Sequence, residues 1–288
     1  MTKAQLTRSE VISHSETLKS FPATVAEILA TVDDPDGNFK VLVEAINHDP
    51  IIAARVLSVA NSASARARRD SEVTDIYTAT SLIGMSRVRQ ITLISSLGAF
   101  VGGLLADKKS ARLWQHSVAV GVCCEELALH VPQRLSVDIA LIAGLLHDIG
   151  QFWFYSYDTA VYQQCRHEAL ERNVDIEVVE QTYFGVGHSR VGAWLAEYWC
   201  LPASICAAIA GHHHPDAALS DPLVPLVHVA EVLSNALELS GGDENRVTFV
   251  SDAACKKLGL VWSDDIRPLF GRIEARSRHA NAFFQLHQ

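Results

Sequence analysis

Apolar positions recur at spacings of three and four along most of the chain, the period of helices with one buried face, and β-type alternation is scarce. In residues 21–32, Val25, Ile28, Leu29 and Val32 follow this period after Pro22, and Asp33-Asp34-Pro35-Asp36-Gly37 stops it. The same pattern predicts helices over 39–47, 51–63, 75–83 and 86–100, with breaks at Asp49-Pro50 and Gly84. No strand is predicted before residue 100. A charged break at Ala106-Asp107-Lys108-Lys109-Ser110 separates these from a second series over 111–130, 137–147, 157–172, 176–184, 188–199, 202–210 and 224–239. The 137–147 segment, with Ile139, Leu141, Ile142, Leu145 and Leu146, is apolar almost all round, so it belongs in the centre; Gly150 ends it. Two more helices, 251–258 and 264–282, follow Arg246. The expected fold is all-α, with an N-terminal tail (1–17), a helical bundle (18–108) packed on a second bundle (109–240), and a C-terminal extension (241–288) against it.

Composition fits such cores. Of 288 residues, 49% are hydrophobic and 20% charged, enough apolar material for sizeable cores and too much for a disordered chain. The net charge of −9 argues against general affinity for nucleic acid or an anionic membrane. Six cysteines form no CxxC pair and lie mostly in apolar runs, which reads as reduced core residues of a cytoplasmic protein. Residues 1–20 carry no secretion signal, and no run of 18 uncharged apolar residues implies a membrane span. The basic run Arg66-Ala67-Arg68-Arg69, with Arg87 and Arg89, would suit an acidic partner or a phosphate. Asp70, Glu72 and Asp75 dilute it, and a solvated loop is the simpler expectation.

Histidine changes the picture. Nine of the 13 fall between His116 and His228. His147-Asp148 ends the most apolar helix, where an imidazole and a carboxylate can turn toward one cation, although a helix-capping pair has the same sequence. Other candidates lie in Trp114-Gln115-His116-Ser117, Gly187-His188-Ser189-Arg190, His212-His213-His214-Pro215 and His228-Val229-Ala230-Glu231. Taken singly, His116 reads as a satisfied core histidine, His188 as a helix cap and the triple histidine as an exposed turn. No Gly-rich phosphate loop, Ser-His-Asp order or haem motif is present.

The order His, His-Asp, distant carboxylate resembles the HD superfamily of metal-dependent phosphohydrolases. More closely, the chain resembles the HDOD domain, a degenerate HD relative of bacterial signalling proteins. The likeness also rests on Phe21-Pro22-Ala23, His48-Asp49-Pro50, Val59-Ala60-Asn61-Ser62, Ser81-Leu82-Ile83-Gly84 with Arg87-Val88-Arg89, and Ala143-Gly144-Leu145-Leu146-His147-Asp148-Ile149-Gly150. It runs from about residue 18 to 240. It implies an HD-like second bundle in which His116, His147, Asp148 and Glu231 take the core metal positions. His188, His212 and His213 stand where the related HD-GYP cyclic-di-GMP phosphodiesterases place further ligands. The implied cofactor is one or two divalent transition metals, Fe, Mn, Zn or Ni.

Four departures bear on activity. Glu231 replaces the family's Asp, and Gln151 the Lys that pairs with a substrate phosphate in active HD-GYP enzymes. The Gly-Tyr-Pro loop is missing after Pro215, and Arg112 stands where a carboxylate ligand is expected, one turn before His116. Arg112, Gln151 and His228 are therefore expected to line the pocket or support the ligands without binding the metal. The resemblance implies a regulatory module working through a signalling protein partner, or by sensing a nucleotide or cyclic dinucleotide. The alternative is a phosphohydrolase acting on such a ligand; a nucleic-acid adaptor using the 66–69 loop ranks third.

Overall fold

In a computed structural model, which describes residues 5–18, 20–30, 37–66, 73–104, 108–240 and 249–285, every regular element is helical and no strand occurs among the described residues. The first helix, α1 (Arg8–Ser15), lies inside what the sequence pattern left as a tail. A capping box starts it: Thr7 Oγ1 accepts the Glu10 N–H at 3.3 Å, and Glu10 Oε2 accepts the Thr7 N–H at 2.8 Å. Only Val11 and Ser15 of α1 are buried, too few positions to show a period.

Contacts divide the chain into two units, Phe21–Phe100 and a larger one made of Met1–Ser20 with Val101–Gln288. The smaller holds α2 (Ala23–Ala30), α3 (Gly37–His48), α4 (Pro50–Arg66), α5 (Ile76–Ile83) and most of α6 (Met85–Leu104). The division falls within α6, before the charged break at 106–110, of which residues 106 and 107 lie outside the described residues. Leu42, Ile46, Val56, Ala60 and Leu97 are fully buried in the smaller unit. Asp49, Asn61 and Asp75 of this unit serve the backbone. Asp49 Oδ1 accepts the Ile51 and Ile52 N–H groups at 2.9 and 3.1 Å, capping α4 with Pro50 at its first position. Asn61 clamps Val73 from both sides, Nδ2 donating to its carbonyl at 2.9 Å and Oδ1 accepting its N–H at 2.7 Å. Asp75 caps α5 through the Thr78 N–H, and Gly84, at φ +84°, makes the left-handed turn into α6. Residues 67–69 of the basic run, and the Arg66 side chain, lie outside the described residues.

The larger unit continues with α7 (Lys108–His130), α8 (Val137–Leu146), α9 (Ile149–Tyr157), α10 (Thr159–Arg172), α11 (Ile176–Phe184), α12 (His188–Tyr198), α13 (Ala203–Gly211), α14 (Leu223–Ala236), α15 (Asp252–Leu258) and α16 (Arg267–Gln285). Helix α8 is buried on nearly every face and packs against α7, α13 and α14. Gly144 allows the closest approach: a Cβ there would stand 2.7 Å from Gly121 Cα on α7.

Gly150 does not end the helical run. The chain turns at His147-Asp148 and continues as α9, burying Phe152, Trp153 and Phe154. The sequence pattern mistook this glycine for a stop because its job is tertiary. A Cβ at Gly150 would collide with the His188 carbonyl at the start of α12, so only glycine lets α9 and α12 meet there. The stretch Val137–Tyr157 is long and apolar enough to cross a membrane, and most of it is buried inside the fold. At the C-terminal end, α16 is tied to α7 by ion pairs: Arg276 reaches Glu125 at 2.6 Å and Glu126 at 2.5 Å, and Arg272 reaches Glu126 at 2.9 Å.

Candidate metal centre

Five helix ends or faces converge on Asp148. The break between α8 and α9 frees His147 and Asp148 from regular helical directions, and the Gly150 contact brings them against the first residue of α12, His188. His212 and His213 follow the end of α13, His116 projects from α7, and Glu231 from α14.

Asp148 has two sides. Its Oδ2 lies 3.3 Å from His147 Nε2 and 3.9 Å from His116 Nε2. Its Oδ1 lies 3.2 Å from His188 Nε2 and 3.9 Å from His212 Nε2. His188 and His213 approach nitrogen to nitrogen at 2.9 Å. All seven residues expected as ligands fall into three overlapping sets whose donor atoms lie within 4.8 Å of one another: His116, His147 and Glu231; His147, Asp148 and His212; His188, His212 and His213.

The hydrogen bonds orient the rings. His147 Nδ1 donates to the Gly144 carbonyl and His212 Nδ1 to the Ile209 carbonyl, each at 2.8 Å, so both rings turn Nε2 toward the cluster. His147 Nε2, His212 Nε2 and Asp148 Oδ1 are buried and make no hydrogen bond. Leaving such atoms unpaired in a protein interior ordinarily costs about 1–3 kcal/mol each. Lone pairs gathered round a carboxylate suit a cation at their centre. Donors bound about 2.1 Å from one ion stand roughly 3.0–3.4 Å apart at octahedral or tetrahedral angles; His147 and His188 meet this spacing from Asp148, while His116 and His212, at 3.9 Å, stand wider. The donor set of imidazoles and carboxylates fits a divalent transition metal.

Charge within the cluster is unevenly placed. Burial opposes ionisation of Asp148, but His147 and His188 beside it hold its carboxyl well below the usual range. His147 and His188 are pulled above the ordinary imidazole value by their carboxylates in spite of burial, His188 strongly so because it faces both Glu180 and Asp148. Burial pushes His212 well down and neighbouring imidazoles push it further; His116 also falls, by burial and by His147. The Asp148 carboxylate sets this pattern, and a metal ion would answer the same charge.

The remaining expected site residues surround this core. Arg112, Gln151 and His228 line a cavity of about 1060 Å³ that also reaches Asp148, His116, His213 and Glu231. His228 uses both ring nitrogens elsewhere: Nδ1 donates to the His212 carbonyl at 2.8 Å and Nε2 accepts the Ser251 N–H at 3.1 Å. It therefore fixes the turn that carries His212 and His213. Gln151 is buried, with Oε1 3.1 Å from the Tyr162 hydroxyl. His214 is largely exposed, its Nε2 3.9 Å from Glu177.

Sequence reasoning passed over Arg166, Tyr162 and Glu180. Arg166 lines the cavity from α10, and Tyr162 and Glu180 lie fully buried behind His188. A carboxylate eight residues before a candidate ligand, across the Gly185-Val186-Gly187 break, was the available signal for Glu180. It lies in Ile176-Glu177-Val178-Val179-Glu180, within the helix expected over 176–184.

Comparison with known proteins agrees with this architecture. The HDOD domain family model matches residues 18–215. An HDOD domain protein of unknown function from Geobacter sulfurreducens superposes with a TM-score of 0.73 at 21% identity, covering 94% of this chain and 98% of that one. A protein from Marinobacter aquaeolei VT8, whose name suggests signal transduction, gives 0.72 at 21% identity, covering 99% of this chain and 61% of that one. A protein from Shewanella amazonensis SB2B, whose name suggests a phosphohydrolase, gives 0.64 at 24% identity, covering 96% and 94%. An uncharacterized protein of Treponema pallidum (strain Nichols) is 26% identical over 234 residues, 80% of this chain but 44% of that protein's length. With more than half its length matched by the family model, this chain belongs to the HDOD domain family.

Proposed function

We propose that this chain is a metal-holding signalling module whose cavity receives a phosphorylated small molecule, a nucleotide or cyclic dinucleotide, and reports its presence to a protein partner. One observation carries the metal: three buried donor atoms, His147 Nε2, His212 Nε2 and Asp148 Oδ1, point into one cluster without a hydrogen-bond partner. The two faces of Asp148 favour a pair of ions, one toward His116, His147 and Glu231, the other toward His188, His212 and His213. Such ions, Fe, Mn, Zn or Ni by donor type, would supply Lewis-acid charge and acidify bound water.

The chain's own residues do the rest. Arg112 and Arg166 place two guanidinium groups on the cavity lining, where an anionic ligand gains charge-assisted hydrogen bonds. Gln151, its Oε1 3.1 Å from the Tyr162 hydroxyl, brings no charge, so the substrate-handling cation expected of an active relative is missing from its place. Binding without efficient turnover follows. The Marinobacter protein's name accords with a signalling role.

Hydrolysis is the second reading, favoured by the complete set of seven donors beside an open cavity and by the name of the Shewanella protein. Elemental analysis of protein purified without chelator, calorimetry with cyclic-di-GMP and GMP, and release of product from both separate the two. The expected result is bound metal and ligand binding, both lost in His147→Ala, with product release at background. Turnover that vanishes in His147→Ala would replace the first reading with the second; protein that takes up no transition metal would sink both.

A further inference from the structure

Behind His188, on the side away from the cluster, lies a buried polar chain that none of the motifs covers. Glu180 is fully buried on α11, yet no lysine or arginine ion pair to it is seen among the described residues. Its Oε2 accepts two hydrogen bonds from one residue, the His188 backbone N–H at 2.7 Å and the ring Nδ1–H at 2.8 Å. Its Oε1 accepts the Tyr162 hydroxyl at 2.8 Å, and that hydroxyl lies 3.1 Å from Gln151 Oε1. Tyr162 is itself fully buried, packed against Tyr155, Phe154 and Phe184.

A buried carboxylate persists only where several donors serve it, and here both donors on one oxygen belong to the residue that carries the ring. The double bond to His188 fixes where the ring sits and how it turns. With Nδ1–H committed to Glu180, the atom left facing Asp148 and His213 is Nε2. The negative charge behind the ring also makes Nε2 a stronger electron donor toward a cation. Tyr162 holds the carboxylate in turn, and Gln151, whose Oε1 lies 3.1 Å from the same hydroxyl, lines the cavity.

We infer that Glu180, steadied by Tyr162, is a positioning residue that orients and activates His188 for the ion on the His188, His212 and His213 side of Asp148. This rests on the metal reading above. A helix cap for α12 is the competing role for the same carboxylate, and it predicts different behaviour. Glu180→Gln keeps a carbonyl oxygen for the His188 N–H groups while removing the charge, so a capping role is largely retained and the electronic one is lost.

The experiment titrates chelator-stripped full chain with Co²⁺, following visible absorption and calorimetric heats, with circular dichroism and thermal melts as the folding control. Wild type is expected to bind two equivalents. Glu180→Gln is expected to weaken one of them by about 10–100-fold, the range for carboxylate partners of metal-bound histidine, and to change the Co²⁺ spectrum of that site. The other equivalent keeps its affinity, whereas Glu231→Gln weakens the opposite one. Tyr162→Phe, which leaves the carboxylate in place, gives a smaller loss at the same site as Glu180→Gln and keeps the inference testable if Glu180→Gln does not fold. Folded Glu180→Gln with wild-type affinities and spectrum would overturn the positioning role while leaving the metal reading intact. Wild type that binds no Co²⁺ would overturn both.

Discussion

Asp49, Asn61 and Asp75 of the smaller unit and His147, Asp148 and His212 of the larger are put to opposite uses. In the smaller unit, Asp49, Asn61 and Asp75 are spent on backbone N–H and C=O groups at distances of 2.7–3.1 Å, so their polarity closes helices and a loop. In the larger unit, His147, His212 and Asp148 are buried deeper, and each keeps an atom with no hydrogen bond. Polar side chains that satisfy backbone groups specify a fold. Polar side chains gathered and left unsatisfied in a core are destabilising unless something else binds them. In the larger unit, three such atoms gather around Asp148, and it is there that a metal is proposed.

That contrast can be broken at four points. Asp148→Asn has the largest expected effect, because one side chain faces four histidines. Metal content by elemental analysis is expected to fall by more than the roughly 10–100-fold that loss of an outer partner causes. Retention of near-wild-type metal would show that the unpaired atoms serve another purpose. Gly150→Ala comes next: the added Cβ meets the His188 carbonyl and forces α9 and α12 apart. Overpacking of this kind costs about 1–3 kcal/mol in chemical denaturation, and metal content should fall with it because Asp148 and His188 separate.

Asn61→Ala sharpens the comparison from the other side. Losing the clamp on Val73 is expected to destabilise by about 1–3 kcal/mol while metal content stays at the wild-type level. A fall in metal stoichiometry in the folded variant would mean that the smaller unit contributes to the site. Asp75→Ala, which removes a single helix cap, is expected to cost about 1 kcal/mol in the same denaturation experiment and likewise to spare the metal.

Much of the helix pattern was legible in the sequence because apolar period, proline and glycine act locally. The two helices it missed explain its limit. Helix α1 has only Val11 and Ser15 buried and is announced by a capping box at Thr7 and Glu10. Helix α9 was hidden because Gly150 carries a stop signal locally while answering a need for close packing against α12. The same limit holds in the site. His116, His147, Asp148, His188, His212, His213 and Glu231 could be named as candidates because the family resemblance carries them over residue by residue. Glu180 and Tyr162 could not, since a glutamate and a tyrosine on amphipathic helices ordinarily face solvent or fill a core. Only burial behind His188 gives them a chemical role.

By itself, then, the sequence determined an all-helical chain, since that follows from the periodicity of neighbouring residues, and it named candidate metal donors only through its resemblance to a family. Tertiary structure alone decided that donors spread over 116 to 231 meet around Asp148, and which of their atoms remain unpaired. It also decided that His188 is gripped from behind by a buried carboxylate. Those are properties of distances between residues far apart in the chain, set by how glycine contacts let α7, α8, α9 and α12 approach, and no local pattern encodes them.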